Sequence, residues 1–316
     1  MSEQLALQPV DAADITILVD NSVDVLLPST EMVRRAPQTW DSLERSPLIA
    51  EHGNALLLTV HKDGRTASLL YDAGLGRDTL THNMDVLGIQ PTMIQAIVLS
   101  HGHRDHHGGL KGLFEHSAMP RVPLILHPDA WRDRKNVHPE GESHLPPLNR
   151  ADLIGHVANV VEERRPSLWL DDTVLVTGQV DRLTDFEKGF ATHYACIEDR
   201  WEADPWLWDD QAVVCHVKGK GLVVLSGCSH AGIVNILRYA RRLTGIETVY
   251  AIIGGLHLSG KVFEAIIPRT VAEIAPLRPQ VIVPGHCTGW KALHEIVRQL
   301  PDTYIHSSVG TRLHLA

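Results

Sequence analysis

Ser100-His101-Gly102-His103-Arg104-Asp105-His106-His107-Gly108-Gly109, set directly behind the apolar run Ala96-Ile97-Val98-Leu99, decides how the rest of the chain is read. The run has the length and composition of a short buried strand. Behind it, His101, His103 and Asp105 recur with period two, so an extended backbone aims all three side chains the same way, and His106 follows as the chain turns into a helix. Gly108-Gly109 and the amphipathic residues Leu110, Leu113 and Phe114 complete a strand, loop and helix. Imidazole and carboxylate in one cluster suit zinc, iron or manganese, and a cluster this tight serves two ions if other segments add ligands. A histidine-rich surface loop, the competing reading, explains neither the strand in front nor the helix behind.

Further strands stop in the same way. Apolar runs at 54–60 and 66–72 flank His61-Lys62-Asp63-Gly64-Arg65, whose Asp-Gly marks a hairpin turn, and the hairpin ends in Tyr71-Asp72-Ala73-Gly74. A second hairpin, 211–217 and 221–225 around Lys218-Gly219-Lys220, delivers Ser226-Gly227-Cys228-Ser229-His230 ahead of a helix over 233–243. Strands at 249–253 and 281–283 end at Gly254-Gly255-Leu256-His257 and Pro284-Gly285-His286-Cys287. Histidine-bearing loops at strand ends predict one shared site. The repeated organisation predicts an α/β fold, a four-layer αβ/βα sandwich of two mixed sheets with outer helices and ligands at one edge.

Elsewhere the pattern gives helices at 78–87, 128–134, 263–274 and 293–300, strands at 122–126, 168–170 and 173–176, and two short edge strands within 304–315. Residues 136–147 read as irregular, with His138 and His144 on the surface. Trp201, Trp206 and Trp208 form either an aromatic lid or a buried anchor for their loop. The first 47 residues read as an extension, one strand at 15–19 and a loop broken by Pro28, Pro37 and Pro47, ahead of a core from about 51 to 316. No linker separates two cores, so residues 1–316 form a single domain.

The motif His-x-His-x-Asp-His after a buried strand resembles the metal motif of the metallo-β-lactamase superfamily. With LSGCSHAGI, IIGGLHL and VPGHCTGW, the chain resembles one branch, predicted metal-dependent hydrolases labelled 7,8-dihydropterin-6-yl-methyl-4-(β-D-ribofuranosyl)aminobenzene 5'-phosphate synthase. That resemblance implies that His101 and His103 bind one ion, that Asp105, His106 and His286 bind the other, and that Asp72 orients the ligands from behind. For Asp72 the alternative is a cap on the following helix. His230 is the next ligand. Cys228, where many members carry a bridging Asp, is either a metal bridge or a packed small residue, and the neutral imidazole of His230 is expected to matter more for affinity than this thiol. Asp105 and His257 are the candidate catalytic residues, His257 facing substrate unless it is structural. Thr177-Gly178-Gln179-Val180-Asp181-Arg182 departs from the branch's Thr-Gly-Glu-x-Pro-Arg at Gln179 and Asp181; Arg182 is either an anion clamp for substrate or an ordinary surface arginine.

The function expected is hydrolysis of an anionic small-molecule ester, a phosphoester, cyclic phosphodiester or lactone, by a hydroxide held on two divalent ions about 3.5–4 Å apart. Zinc is favoured, with iron and manganese as alternatives. The branch label suggests a synthase joining a pterin to a ribosyl-aminobenzene phosphate; two irons would allow redox chemistry. Composition limits the partners. The 316 residues carry a formal charge of −9 without a Lys/Arg cluster, which argues against nucleic acid. No run approaches the roughly 18 apolar residues of a membrane span. Cys196, Cys215, Cys228 and Cys287 lack disulfide-like spacing and no basic-then-apolar leader is evident, so a cytoplasmic location is expected. The oligomeric state is open.

Overall fold

The computed structural model describes residues 4–36 and 46–316. Pro37 lies outside the described residues. Two mixed sheets face each other, as the sequence pattern predicts. In spatial order the first holds Val33–Arg34, Arg312–Leu315, Ala12–Val19, Ala55–Lys62, Arg65–Tyr71, Ile94–Val98, Leu124–Leu126 and Val160–Glu162. The second runs Ser167–Trp169, Val174–Val176, Val213–Val217, Gly221–Ser226, Val249–Gly255 and Val281–Gly285. Each begins antiparallel and turns parallel, at Arg65–Tyr71 against Ile94–Val98 and at Gly221–Ser226 against Val249–Gly255.

Alternation of side chains along the strands builds three apolar layers. Ala96 and Val98 face the second sheet's Val223, Leu225, Ala251 and Ile253, while Ile97 and Leu99 face outward to the helices Thr79–Val86 and Leu110–Glu115. Val224 and Ile252 meet the helices Ile233–Thr244, Ile267–Ile274 and Trp290–Gln299 on the other side. The predicted helix at 263–274 is interrupted: Lys261–Glu264 stops and Pro268 starts a new helix as its second residue.

Three parts of the chain differ from the sequence reading. The N-terminal strand is no extension. Ala12–Val19 is buried along its whole length as the third strand of eight, and Asp20 and Asn21 at its end hold the backbone of His286, the first accepting from its N–H at 2.7 Å and the second donating to its carbonyl at 2.8 Å. The C-terminal Arg312–Leu315 pairs beside it and is not an edge strand. Finally, a third, antiparallel sheet of Arg200–Ala203, His193–Ile197, Arg134–His138 and Gly141–Leu145 replaces the helix end at 134 and the irregular stretch 136–147. His138 and His144 are exposed on it.

Candidate metal centre

The loops that carry His101 to His106, His230, His257 and His286 follow the strands Ile94–Val98, Gly221–Ser226, Val249–Gly255 and Val281–Gly285 and meet where these strands finish. The loop after Ile94–Val98 is clamped on both sides. Ser100 N–H and Oγ–H donate to Asp72 at 2.7 and 2.8 Å, and Ala73 N–H donates to the His106 carbonyl at 2.7 Å. Gly102 N–H donates to Asp209 Oδ2 at 2.8 Å; Asp209 also pairs with the buried Arg134 at 2.7 Å. A β-carbon at Gly102 would sit 2.2 Å from the Ala130 carbonyl, so only glycine fits.

Asp72 reaches the ligands directly. Its Oδ2 lies 2.6 Å from His106 Nδ1, which holds a hydrogen there and aims Nε2, the atom a cation would take, at Cys228 Sγ, 3.2 Å away. It does not cap the helix at 79–86, whose N-cap is Asp78. Asp72 adopts φ +63°, and Ser229, His257 and His286 at the same site also have positive φ, a conformation that costs non-glycine residues and tends to gather at functional sites.

Among the described residues, three groups of donor atoms could hold an ion: Asp105, His106, Cys228 and His286; His101, Cys228 and His230; Cys228, His257 and Cys287. Within each group the atoms lie within 4.8 Å of one another, and Cys228 Sγ belongs to all three. The fit to a cation rests on unsatisfied nitrogen: His101 Nε2, His230 Nε2, both ring nitrogens of His286 and His257 Nδ1 are buried without a hydrogen-bond partner. Buried polar atoms are rarely left so, and ligation would satisfy them. His103, also expected here, turns its Nε2 to His193 Nε2 at 3.0 Å.

The electrostatics fit the same picture. Burial pushes the pKa of His101, His103 and His230 well down, leaving neutral rings with free lone pairs. Burial opposes the charge on His106 too, but Asp72 and Asp105 outweigh it and push its pKa up to about 9. For Asp105, burial would raise the pKa, while His106 and His286 hold it far below the usual carboxylate range. Its Oδ2 stands 3.3 Å from His286 Nε2 and 3.7 Å from His52 Nε2. Burial, with Cys287 beside it, raises the Cys228 thiol well above its ordinary value, so a cation would have to displace its proton.

A cavity of about 360 Å³ opens onto these residues, lined among others by His52, His103, Arg104, Asp105, Phe190 and His257. Asn136, Leu145 and His193 from the third sheet form one wall. Arg182 is elsewhere. Its guanidinium donates to the carbonyls of Val180, Trp206 and Leu207 and lies over Trp208, so the expected anion clamp is a structural tie. Trp201 lies under Lys135 on the third sheet, and among the described residues no tryptophan lines the cavity. Sequence reasoning missed His52, His193 and Cys287. Cys287 follows His286 directly and could have been flagged; nothing local marks the other two.

Residues 48–286 match the Metallo-beta-lactamase superfamily. The chain belongs to that superfamily. It is 30% identical over 270 residues, 84% of this chain and 90% of the relative, to the 7,8-dihydropterin-6-methyl-4-(beta-D-ribofuranosyl)-aminobenzene-5'-phosphate synthase of Methanocaldococcus jannaschii. An uncharacterized protein of the same organism is 30% identical over 276 residues, 85% of this chain and 96% of that protein. Among solved structures, Tm1679, a metal-dependent hydrolase of the beta-lactamase superfamily, superposes with a TM-score of 0.74 at 22% identity, over 95% of this chain and 98% of that one. Yeast PDE1 gives 0.54 at 10% identity, over 96% and 99%. These two share the fold. The chain is thus a metallo-β-lactamase-fold enzyme whose reaction subclass the superfamily leaves open. Among the described residues, no helix is long and apolar enough to cross a membrane.

Proposed function

We propose that the chain is a metal-dependent hydrolase of an anionic small-molecule ester, a phosphoester, cyclic phosphodiester or lactone, with two divalent cations, zinc favoured. The observation that carries this reading is the sharing of Cys228 Sγ by the Asp105-His106-His286 and His101-His230 groups, beside a cavity sized for a small molecule. Bound divalent cations supply Lewis acidity and bring the pKa of water toward neutrality. The chain's own residues do the rest. Arg104 on the rim takes the place expected of Arg182 in attracting the anionic group, and Leu75, Leu145 and Phe190 receive the less polar part. We assign His257, half-buried on the cavity wall, to moving a proton at Nδ1 rather than to ligation. The net charge of −9 supports a small molecule over a nucleic acid as partner.

The name of the 30%-identical relative supports a second reading, a synthase acting on a pterin and a ribosyl-aminobenzene phosphate. The two separate in one experiment: metal analysis of the purified protein, then a panel of aryl phosphodiesters, phosphomonoesters, lactones and thioesters beside the pterin pair. Chelator-sensitive turnover of an ester is expected. Turnover of the pterin pair alone would favour the second reading, and two irons with visible absorbance and no hydrolysis would favour redox chemistry.

A further inference from the structure

Of His101, His103, Asp105 and His106, only His103 stays outside the donor groups that meet at Cys228 among the described residues. Its Nε2 faces that of His193 at 3.0 Å, with ring centroids 4.8 Å apart. The same ring stands edge-on to His101 and His230, at 4.5 and 5.0 Å between centroids. His193 is 1% exposed and, among the described residues, its Nδ1 has no partner and its ring makes its one polar contact to another imidazole. The third sheet fixes its place: its N–H donates to Phe190 O at 3.0 Å, its carbonyl accepts from Asp204 N–H at 2.9 Å, and it pairs in register with Asn136.

Two neutral imidazoles that meet Nε2 to Nε2 can share one proton, in which case one lone pair is spent on the other ring. A cation would use both lone pairs. We propose that His193 is a metal ligand, facing one cation together with His103 beside His101 and His230, so that the third sheet is part of the metal centre. The inference rests on the reading that the chain binds divalent cations here, and it deepens that reading. One position becomes rich in imidazole, the environment that suits zinc, iron, nickel or copper, while the position at Asp105 mixes oxygen, nitrogen and sulfur.

Cobalt titration followed by visible absorption and X-ray absorption tests this on the whole chain, with His193→Ala and His193→Gln. The Gln variant can still donate a hydrogen bond to His103 Nε2 but offers no imidazole. Wild-type protein should take two ions per chain. Both variants should bind one of them at least tenfold more weakly, with altered cobalt bands and fewer imidazoles per metal, and added free imidazole should restore the wild-type spectrum of His193→Ala. If His193→Gln keeps wild-type affinity and bands, His193 only positions His103 and the proposal is overturned. Wild-type protein that takes up no cobalt would overturn the underlying reading, and the proposal with it.

Discussion

Tyr71 spans the sandwich: its hydroxyl accepts from Gly227 N–H at 2.9 Å and donates to the Gln211 carbonyl at 2.7 Å. The residue after Tyr71 is Asp72 and the residue after Gly227 is Cys228, so this strut sets the spacing between the two halves of the metal centre. Tyr71→Phe would leave two buried backbone groups unpaired. We expect a loss of about 2 kcal/mol of stability and weaker metal binding. Equilibrium denaturation measures the first; an unchanged midpoint would show that the strut bears no load.

Asp72→Asn keeps the shape and tolerates φ +63°, but removes the charge opposite His106 Nδ1. Metal affinity should fall about 10- to 100-fold with the fold intact. Titration of chelator-treated protein reads this directly, and wild-type affinity in the Asn variant would rule out the orienting role.

The sequence ranks His230 above Cys228, and the geometry reverses that order. Cys228 Sγ belongs to every donor group and His230 to one. Cys228→Ala should therefore weaken both ion positions and His230→Ala only one, which the metal content of dialysed variants will show. Cys228→Asp, restoring a charged donor, should recover most of the loss. A Cys228→Ala variant that keeps both ions would return the thiol to a packing role.

His106, with a pKa near 9 in the metal-free protein, is protonated at pH 7, and a cation must displace that proton. His101, His103 and His230, shifted down, are already neutral. Affinity should thus fall as pH falls below about 9, by roughly tenfold per unit for the His106 proton on top of the slope set by the Cys228 thiol, and above 9 only the shallower thiol slope should remain. Calorimetry at pH 7, 8 and 9 in buffers of different ionisation enthalpy counts the protons; pH-independent binding would mean that His106 is not a ligand.

The architecture was legible because its signals are local. His101-x-His103-x-Asp105-His106 follows an apolar run, Asp63-Gly64 and Lys218-Gly219-Lys220 mark tight turns, and apolar alternation carries the strands that build the core. The third sheet has no such signal. Arg134–His138, Gly141–Leu145 and Arg200–Ala203 are polar strands joined by backbone pairing, so periodicity is silent about them. His193 and His52 reach the centre through tertiary packing alone. Arg182 misled because a free guanidinium and one tied to three carbonyls look alike in sequence; Arg182→Ala should lower stability and leave substrate affinity unchanged.

One wall of the reaction cavity is thus built from a sheet whose outermost strands, Arg200–Ala203 and Gly141–Leu145, are almost wholly open to solvent, while Cys228, His257 and Cys287 on another side follow the ends of core strands. Core packing does not dictate the side chains of Gly141–Leu145. Drift in that hairpin, or a change in its length, reshapes the doorway while the ion cradle at Cys228 stays as it is, so selection on what enters can proceed separately from selection on what happens inside.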